Sequence, residues 1–270
     1  MIAAGFTWFL LIPGVEDDSL LHALSIDSHG SHMFVTACFV SVLLIFWAVM
    51  ARRALDKARA RPGLAAFHAD ATMTWRNSAE LYSEAILGLI REVFHGKDLR
   101  LFFPFVSGLF IYIWVCNLTS LVPGFLPPTD NINTNVGMAV IVFFLFMFVG
   151  LSRDAIGFLK HMWGPVAIAG ILLFPIEVIS MLFRPVSLSL RLTGNMFGDH
   201  TVFTVMSGLL PEMTAEAPFI VHAIAWVLPV PMPFLALALL VSTIQALVFS
   251  LLSAIYVGTS VPHADEHGDH

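Results

Sequence analysis

Charged residues are scarce in this sequence: Asp, Glu, Lys and Arg together make up 12% of its 270 residues. Soluble domains average about 25%, so half that fraction argues for a protein that crosses a membrane several times. Cysteine is scarcer still. Both cysteines, Cys38 and Cys116, lie inside apolar runs, and we therefore expect no disulfide framework.

Motifs for binding nucleotides are also missing. The sequence has no glycine-rich phosphate loop and no dinucleotide-binding fingerprint, so we expect no directly bound nucleotide and no nucleic-acid partner. Internal repeats and low-complexity linkers are absent from it as well. The histidines near the carboxyl end do not have the spacing of a defined zinc site. We therefore predict a solvated tail at 263–270, without a metal or other cofactor.

Long uncharged runs are what the sequence has instead. They extend over Met33–Ala51, Leu101–Pro128, Ile132–Ser152 and Ala217–Pro262. A membrane-spanning helix needs about 20 such residues, and the last run is long enough for two. The runs predict an all-α polytopic membrane protein.

The basic residues indicate how the chain is oriented. Nine of the 13 Lys and Arg residues fall between Arg52 and Arg100. Under the positive-inside rule this segment is cytoplasmic, and the amino terminus lies outside. The amino-terminal segment MIAAGFTWFLLIPGVEDD contains a short apolar run with no basic residue before it, which leaves a weak leader and an interfacial segment as equal alternatives.

The first part of the chain is predicted to form three spans and one surface helix. Within residues 72–95, Leu81, Ala85, Leu89 and Phe94 recur near helical spacing among charged residues. This pattern predicts an amphipathic helix on the cytoplasmic surface. The predicted spans are Met33–Met50, Leu99–Leu121 and Asn135–Leu151.

The apolar stretch Trp163–Leu210 is too long for one upright span. As a helix it would measure roughly 70 Å, against a hydrocarbon layer of about 30 Å. Either Pro185 breaks it into two short spans, or it is one long, steeply tilted helix. Within the last apolar run, Pro229, Pro231 and Pro233 predict a stop or loop, with the helix over about Phe234–Val257.

Arg191 is the most unusual residue in these apolar stretches. Arginine does not deprotonate in proteins, and a charge at mid-bilayer costs roughly 2.5–3.5 kcal/mol on insertion scales. It either tethers the helix to an interface or faces an ion path or an acidic partner. On a continuous helix, Glu177 and Asn195 share its face, whereas His200 lies about 180° away. Polar groups at different depths and on different faces could serve two separate aqueous pockets.

Other residues of the apolar stretches allow more than one interpretation. Gln245 could form an interhelical hydrogen bond or act in function. Arg184 is interpreted as an interfacial residue on the cytoplasmic side. Gly194 and Gly198 keep the surface beside Arg191 thin, which would let another helix approach closely.

Four segments resemble the ATP synthase subunit a family. The longest is PVSLSLRLTGNMFGDH at 185–200, which is similar to the family pattern around its conserved arginine. NLTSLVPG at 117–124 and PTDNINTNVGMA at 128–139 resemble two further motifs, with Asn131 in a position that is acidic in the family. IQALVFSLLSAIY at 244–256 resembles the carboxyl-terminal helix. The resemblance covers about residues 30–260, in the expected order.

The resemblance implies a role for each matching residue. Arg191 corresponds to the essential stator arginine, with Asn195 one turn on. Glu177 corresponds to an acid of the cytoplasmic half-channel for protons, and His200, with Asp199 beside it, to a polar position of the periplasmic half-channel. Gln245 corresponds to the glutamine that faces the arginine.

The resemblance also implies an architecture and a setting. It implies one long tilted helix at 163–210, paired in a hairpin with the last helix, and so five spans plus the amphipathic helix. A single membrane domain at 32–262 would lie between a periplasmic segment, 1–31, and a cytoplasmic tail, 263–270. The implied partners are a ring of c-subunits, the b-subunit peripheral stalk and the lipid of a bacterial inner membrane. The implied role is proton translocation without catalysis in this chain.

One position departs from the family pattern. Ala238 stands where an acid or a histidine usually pairs with the residue at position 200. The alternative partners of His200 are Asp199, Glu212, Glu216 and His222.

A stand-alone ion transporter or channel is the alternative function, and it would predict inverted repeats, which are not apparent.

Overall fold

All regular secondary structure that the computed structural model describes is helical. It describes residues 28–60, 73–94, 96–122, 125–163, 167–214 and 231–259. Five of the helices are long and apolar enough to cross a membrane. The prediction of an all-α protein with five spans and one further helix is confirmed. Most of the segments 1–31 and 263–270 lies outside the described residues, so the predicted domain bounds remain predictions.

The helices fall into two compact units, Met1–Pro128 and Thr129–His270. The described helices of the first unit are α1 (Ser28–Arg59), α2 (Trp75–Ile90) and α3 (Gly96–Leu118). In this unit α1 packs against both α2 and α3, and α2 also contacts α3. A 3₁₀ turn at Thr119–Leu121 follows α3.

Local sequence explains where α2 begins and where α3 begins after it. The Thr74 hydroxyl accepts a hydrogen bond from the Asn77 backbone N–H, at 3.3 Å, as an N-cap does. Gly96, at the start of α3, has a φ of +57°, a backbone conformation that side-chain-bearing residues rarely adopt. The chain therefore turns between the two helices at a position suited to glycine.

The face of α2 that packs is not the main part of the predicted apolar stripe. Ile86 and Ile90 are buried, whereas Leu81 is 61% exposed and Leu89 is also exposed. Of the predicted stripe, only Phe94, which follows the end of α2, is buried. The exposed stripe leaves apolar side chains on the outside of a helix that is too polar to span a membrane. This arrangement is what an interfacial helix requires, since one face rests on the protein and another on lipid.

The described helices of the second unit are α4 (Ile132–Trp163), α5 (Ala167–Thr214) and α6 (Pro231–Thr259). In this unit α5 packs along α4, and both contact α6. The helix α4 begins after Asn131, whose side-chain oxygen accepts the Asn133 backbone N–H at 2.9 Å. Pro231 and Pro233 occupy the first turn of α6, where a missing N–H costs no hydrogen bond.

Pro185 does not break α5, which is one helix of 48 residues. Its length is about 72 Å at 1.5 Å per residue, more than twice the thickness of a hydrocarbon layer. The long-helix alternative is therefore correct. Its packed face consists of side chains spaced four or seven residues apart, which are Met181, Leu188, Leu192 and Met196.

Tyr82 of α2 joins the three helices of the first unit. Its hydroxyl donates a hydrogen bond to the Ser107 carbonyl of α3 at 2.5 Å. Its ring lies 5.9 Å from that of Trp47 in α1 and 6.3 Å from that of Phe110 in α3. Burial raises the pKa of the Tyr82 phenol above its usual value of 10.0.

We predict that Tyr82→Phe lowers the free energy of unfolding of the assembled protein by about 1 kcal/mol, the usual net value of one hydrogen bond. Tyr82→Leu should cost more, because it also removes both ring contacts. Thermal unfolding in detergent checks this order. Because the folded pKa is raised, the hydrogen bond should persist at pH 10 and be lost only at higher pH. Equal unfolding temperatures for all three proteins would contradict the assignment.

Candidate functional site

Three charged residues of α5 repeat at seven-residue intervals: Glu177, Arg184 and Arg191. Seven residues make two turns less about 20°, so the three positions follow nearly one line along the helix. Asn195 continues that line one turn beyond Arg191. About 21 Å of helix axis separates Glu177 from Arg191. One face of the helix therefore carries an ordered series of charges.

Arg191 is exposed on this face. Its guanidinium forms no ion pair or hydrogen bond within the part of the chain that the structure describes. Large apolar side chains are exposed on the neighbouring side of α5, including Leu190 and Phe197, which are 55% and 68% exposed and lie roughly 100–120° around the helix from Arg191. A permanent cation in a candidate membrane-spanning helix calls for an anionic partner, because an uncompensated charge in hydrocarbon is costly.

The surface beside Arg191 is open, as the glycines predicted. A Cβ atom placed on Gly194 or Gly198 would meet no atom within 4 Å. The helix backbone is therefore accessible from this side, and a second helix could approach it closely.

Asn195 and Gln245 connect α5 to α6 one turn from Arg191. The Asn195 Nδ2 donates a hydrogen bond to the Gln245 Oε1 at 2.6 Å, and Gln245 is only 3% exposed. The structure thus shows the interhelical bond that sequence analysis allowed for Gln245. The Gln245 Nε2 is buried without a partner among the described residues. Such an unpaired donor costs about 1–3 kcal/mol, so Gln245 retains an unused hydrogen-bonding group next to the arginine.

Arg184 forms the contacts that sequence analysis missed. One guanidinium nitrogen lies 3.5 Å from a carboxylate oxygen of Glu177. The guanidinium carbon also lies 5.5 Å from the ring centroid of Phe146 in α4 and 5.1 Å from that of Tyr256 in α6. These are cation–π distances. Arg184 therefore joins three helices while it holds Glu177, a role that its seven-residue spacing from both charged neighbours could have indicated.

The outer part of the candidate site is only partly described. His200 follows Arg191 by nine residues in a continuous helix, so the two positions lie on opposite sides of α5, as predicted. Ala238 lies in α6. The described structure does not include the side chains of Asp199, His200 or Glu212, or the residues Glu216 and His222.

Known proteins are similar to this chain along most of its length. The ATP synthase A chain family matches residues 32–258. ATP synthase subunit a of Citrifermentans bemidjiense is 37% identical over 247 residues, which is 91% of this chain and 94% of that protein. ATP synthase subunit a of Sorangium cellulosum is 31% identical over 274 residues, 97% of this chain and 98% of that protein. ATP synthase subunit a 3 of Pelobacter propionicus is 41% identical over 189 residues, 70% of this chain and 75% of that protein.

The contacts of Arg184 generate a graded prediction. Arg184→Lys keeps the charge that attracts Glu177 but loses the planar group that faces two rings, and Arg184→Ala loses both. Cation–π contacts are worth roughly 0.5–2 kcal/mol each, and the ion pair, whose two side chains are 26% and 37% exposed, adds less than about 1 kcal/mol. Thermal unfolding of the assembled protein should therefore rank wild type above Arg184→Lys and Arg184→Lys above Arg184→Ala. An Arg184→Ala variant as stable as wild type would show that the contacts contribute nothing.

Proposed function

We propose, on the premise that this chain belongs to the ATP synthase A chain family, that it is the stator subunit of a rotary ATP synthase and carries protons through two offset half-channels. The observation that carries the proposal is Arg191, a permanent cation without a partner among the described residues, on an exposed face of a candidate membrane-spanning helix. The five apolar helices and the family make the chain a multi-pass membrane protein.

The proposed partner of this face is a ring of c-subunits. Such a rotor presents one carboxyl group per subunit from an apolar helix, and Arg191 would attract each carboxylate as it passes. The open backbone at Gly194 and Gly198 and the exposed side chain of Phe197 leave room and apolar surface for that contact. The b-subunit peripheral stalk would hold the chain fixed against the ring, within the lipid bilayer.

Arg191 would couple rotation to proton transfer through electrostatics. A protonated carboxyl group is neutral and can face lipid, because the cost of burying a charge is removed. An ionised carboxylate is stabilised beside Arg191 by attraction in a medium of low dielectric. Because arginine keeps its proton, it also blocks direct passage of protons between the half-channels. Each charge moved across 100 mV supplies about 2.3 kcal/mol.

The two half-channels would lie on opposite sides of Arg191 along α5. Glu177 precedes it by about 21 Å of helix axis and His200 follows by about 13 Å. Glu177 shares the face of Arg191, whereas the His200 position lies on the opposite side. A proton that enters the periplasmic half-channel near His200 would reach the cytoplasmic half-channel near Glu177 only after rotation of the ring has carried it there. Asn195 and Gln245 would position the surface that the carboxylate passes. Asp199 would contribute a polar group to the periplasmic half-channel together with His200.

The proposed orientation places the amino terminus in the periplasm and the carboxyl terminus in the cytoplasm of a bacterial inner membrane. Its support is the basic segment between the first two spans, together with an odd number of candidate spans among the residues that the structure describes. We expect a green fluorescent protein fused after residue 270 to fluoresce and alkaline phosphatase fused there to be inactive. Active alkaline phosphatase at this position would contradict the orientation, and a fusion inserted within residues 61–72 of the basic segment serves as the cytoplasmic control.

Replacement of Arg191 is the central test of the proposed function. Arg191→Ala should abolish ATP-driven acidification of inverted membrane vesicles while the complex stays assembled, because no fixed charge then separates the half-channels. Arg191→Lys should also fail, since lysine lacks the planar group and shifts its pKa readily when desolvated. Passive proton leak is measured in the same vesicles.

Arg53→Ala is the matched control, because Arg53 is an exposed arginine of the basic segment in α1. Its vesicles should acidify as the wild-type vesicles do. If Arg191→Ala vesicles also pump normally, Arg191 is a tethering charge and the proposed function is wrong.

A further inference from the structure

A cavity lies between α1 and α2, both of which belong to the first unit. Its volume is about 310 Å³, which falls within the roughly 300–1,000 Å³ that is typical of small-ligand sites. The apolar part of its wall consists of Ala51 and Leu55 from α1 and Ala79 from α2. This space, called the α1–α2 cavity below, is large enough for a small ligand or for the headgroup of a larger one.

Charged side chains of both signs also line the α1–α2 cavity: Arg52 of α1 and Arg76, Glu80 and Glu84 of α2. Arg76 is 5% exposed, and its Nε donates a hydrogen bond to the Glu80 Oε1 at 2.6 Å, so these two charges compensate each other. Arg52 and Glu84 are exposed, and neither forms an ion pair or a hydrogen bond with another residue that the structure describes. The cavity therefore holds two opposite charges apart, and a ligand that carries both signs could contact both.

The α1–α2 cavity lies at the end of an exposed apolar stripe on α1. Val42, Ile45 and Val49 are 66%, 64% and 42% exposed, and Arg52 follows Val49 by three residues, so all four share one side of the helix. Arg52 is also the first charged residue after the apolar run that begins at Met33. Val42 and Arg52 are about 15 Å apart along the axis, which is half of a hydrocarbon layer of about 30 Å. A charged cavity followed by an apolar stripe one leaflet long matches the order of headgroup and acyl chains in a phospholipid.

The charges of the cavity select among phospholipid headgroups. Arginine binds phosphate through several directed hydrogen bonds, and a carboxylate accepts hydrogen bonds from a primary ammonium group. A quaternary ammonium group such as that of choline is recognised by aromatic rings, and no aromatic side chain is among the described residues that line the cavity. An anionic headgroup without an ammonium group would leave Glu84 unpaired and close to a negative charge. A phosphate joined to a primary ammonium group fits all of these constraints.

We propose that the α1–α2 cavity binds the headgroup of phosphatidylethanolamine. Arg52 contacts the phosphate, and Glu84 accepts hydrogen bonds from the ammonium group. The acyl chains lie along the stripe of Val42, Ile45 and Val49. The bound lipid thereby links α1 to α2 and holds the amphipathic helix at the membrane surface. This inference does not rest on the proposed function, since it requires only that α1 spans the membrane and that α2 lies at the interface.

Binding of lipid to the purified, assembled membrane sector tests the inference. The sector is delipidated in detergent and titrated with phosphatidylethanolamine, phosphatidylglycerol or phosphatidylcholine of the same acyl chains, and bound lipid is counted by native mass spectrometry. The wild-type sector should bind phosphatidylethanolamine most tightly. Arg52→Gln should weaken this binding about tenfold, because the phosphate loses a charged partner. Glu84→Lys should reverse the order and favour phosphatidylglycerol, because it repels the ammonium group and attracts an anionic headgroup.

Matched controls separate this site from the lipid that surrounds the whole sector. Arg53 and Glu92 are exposed like Arg52 and Glu84, but they do not line the α1–α2 cavity. Arg53→Gln and Glu92→Gln should therefore leave the affinities of all three lipids as they are in the wild type. Equal effects of Arg52→Gln and Arg53→Gln would show a general attraction of lipid to basic residues and would overturn the inference.

The Glu84 variants decide what occupies the cavity. If Glu84→Lys leaves the order of the three lipids unchanged, the inference is wrong. If the Arg52 and Glu84 variants lose another subunit from the purified sector while lipid affinities stay the same, a protein segment occupies this face, and the inference is wrong as well. If Glu84→Lys fails to assemble, Glu84→Gln replaces it: this variant should lose the preference for phosphatidylethanolamine over phosphatidylglycerol, and a retained preference would overturn the inference.

Failure of this inference and failure of the proposed function give different results. If Arg191→Ala abolishes pumping while the Arg52 and Glu84 variants bind lipid as the wild type does, only the lipid site is wrong. If Arg191→Ala pumps normally and Glu84→Lys reverses the lipid preference, the proposed function fails and the lipid site stands.

Discussion

The cost of placing an arginine in hydrocarbon is the constraint on which the rest of this structure depends. Arg191 cannot lose its proton, so its interactions must offset the cost of placing the charge in the membrane. That cost is roughly 2.5–3.5 kcal/mol on insertion scales. Within the described chain its guanidinium is not neutralised by an ion pair, unlike that of Arg184. The two arginines therefore differ in role. The charge of Arg184 is compensated by Glu177 within the chain, and Arg184 stabilises the fold, whereas Arg191 remains available to a partner.

Three polar side chains of α5 fix its position between its neighbours. Arg184 contacts rings of both α4 and α6, Asn195 bonds to α6, and Thr193 bonds to α4. Apolar packing alone gives little directional preference between helices in a membrane, where lipid is as apolar as the helix surfaces. Because these polar contacts lie at several positions along the helix axis, they fix both the rotation of α5 about its own axis and its axial register. The line of charges is thereby held on one side of it.

The sequence was enough to predict the number and approximate place of the spanning helices, because about 20 uncharged apolar residues in a row are typical of a membrane-spanning helix. It did not decide between one helix and two around Pro185, since a proline pattern predicts a break while the neighbouring helices and an unbroken apolar face favour continuity. Only the family resemblance favoured the long helix.

The contacts of Arg184 depend on residues 38 positions before and 72 positions after it in the chain, Phe146 and Tyr256, which no local pattern connects. Likewise, the buried state of Asn135 follows from tertiary packing, and helical spacing did not distinguish the packed face of α2 from its exposed one.

The 48-residue helix has a geometric consequence for where its charges lie. Arg191 has 24 residues of α5 before it and 23 after it, so it stands at the midpoint. When a rod is rotated about its centre, the centre keeps its depth while the two ends move in opposite directions. Bilayers of different thickness would therefore change the slope of α5 and bring Glu177 and His200 nearer to or farther from their respective water surfaces. Arg191, at the centre of that rotation, would change its depth least.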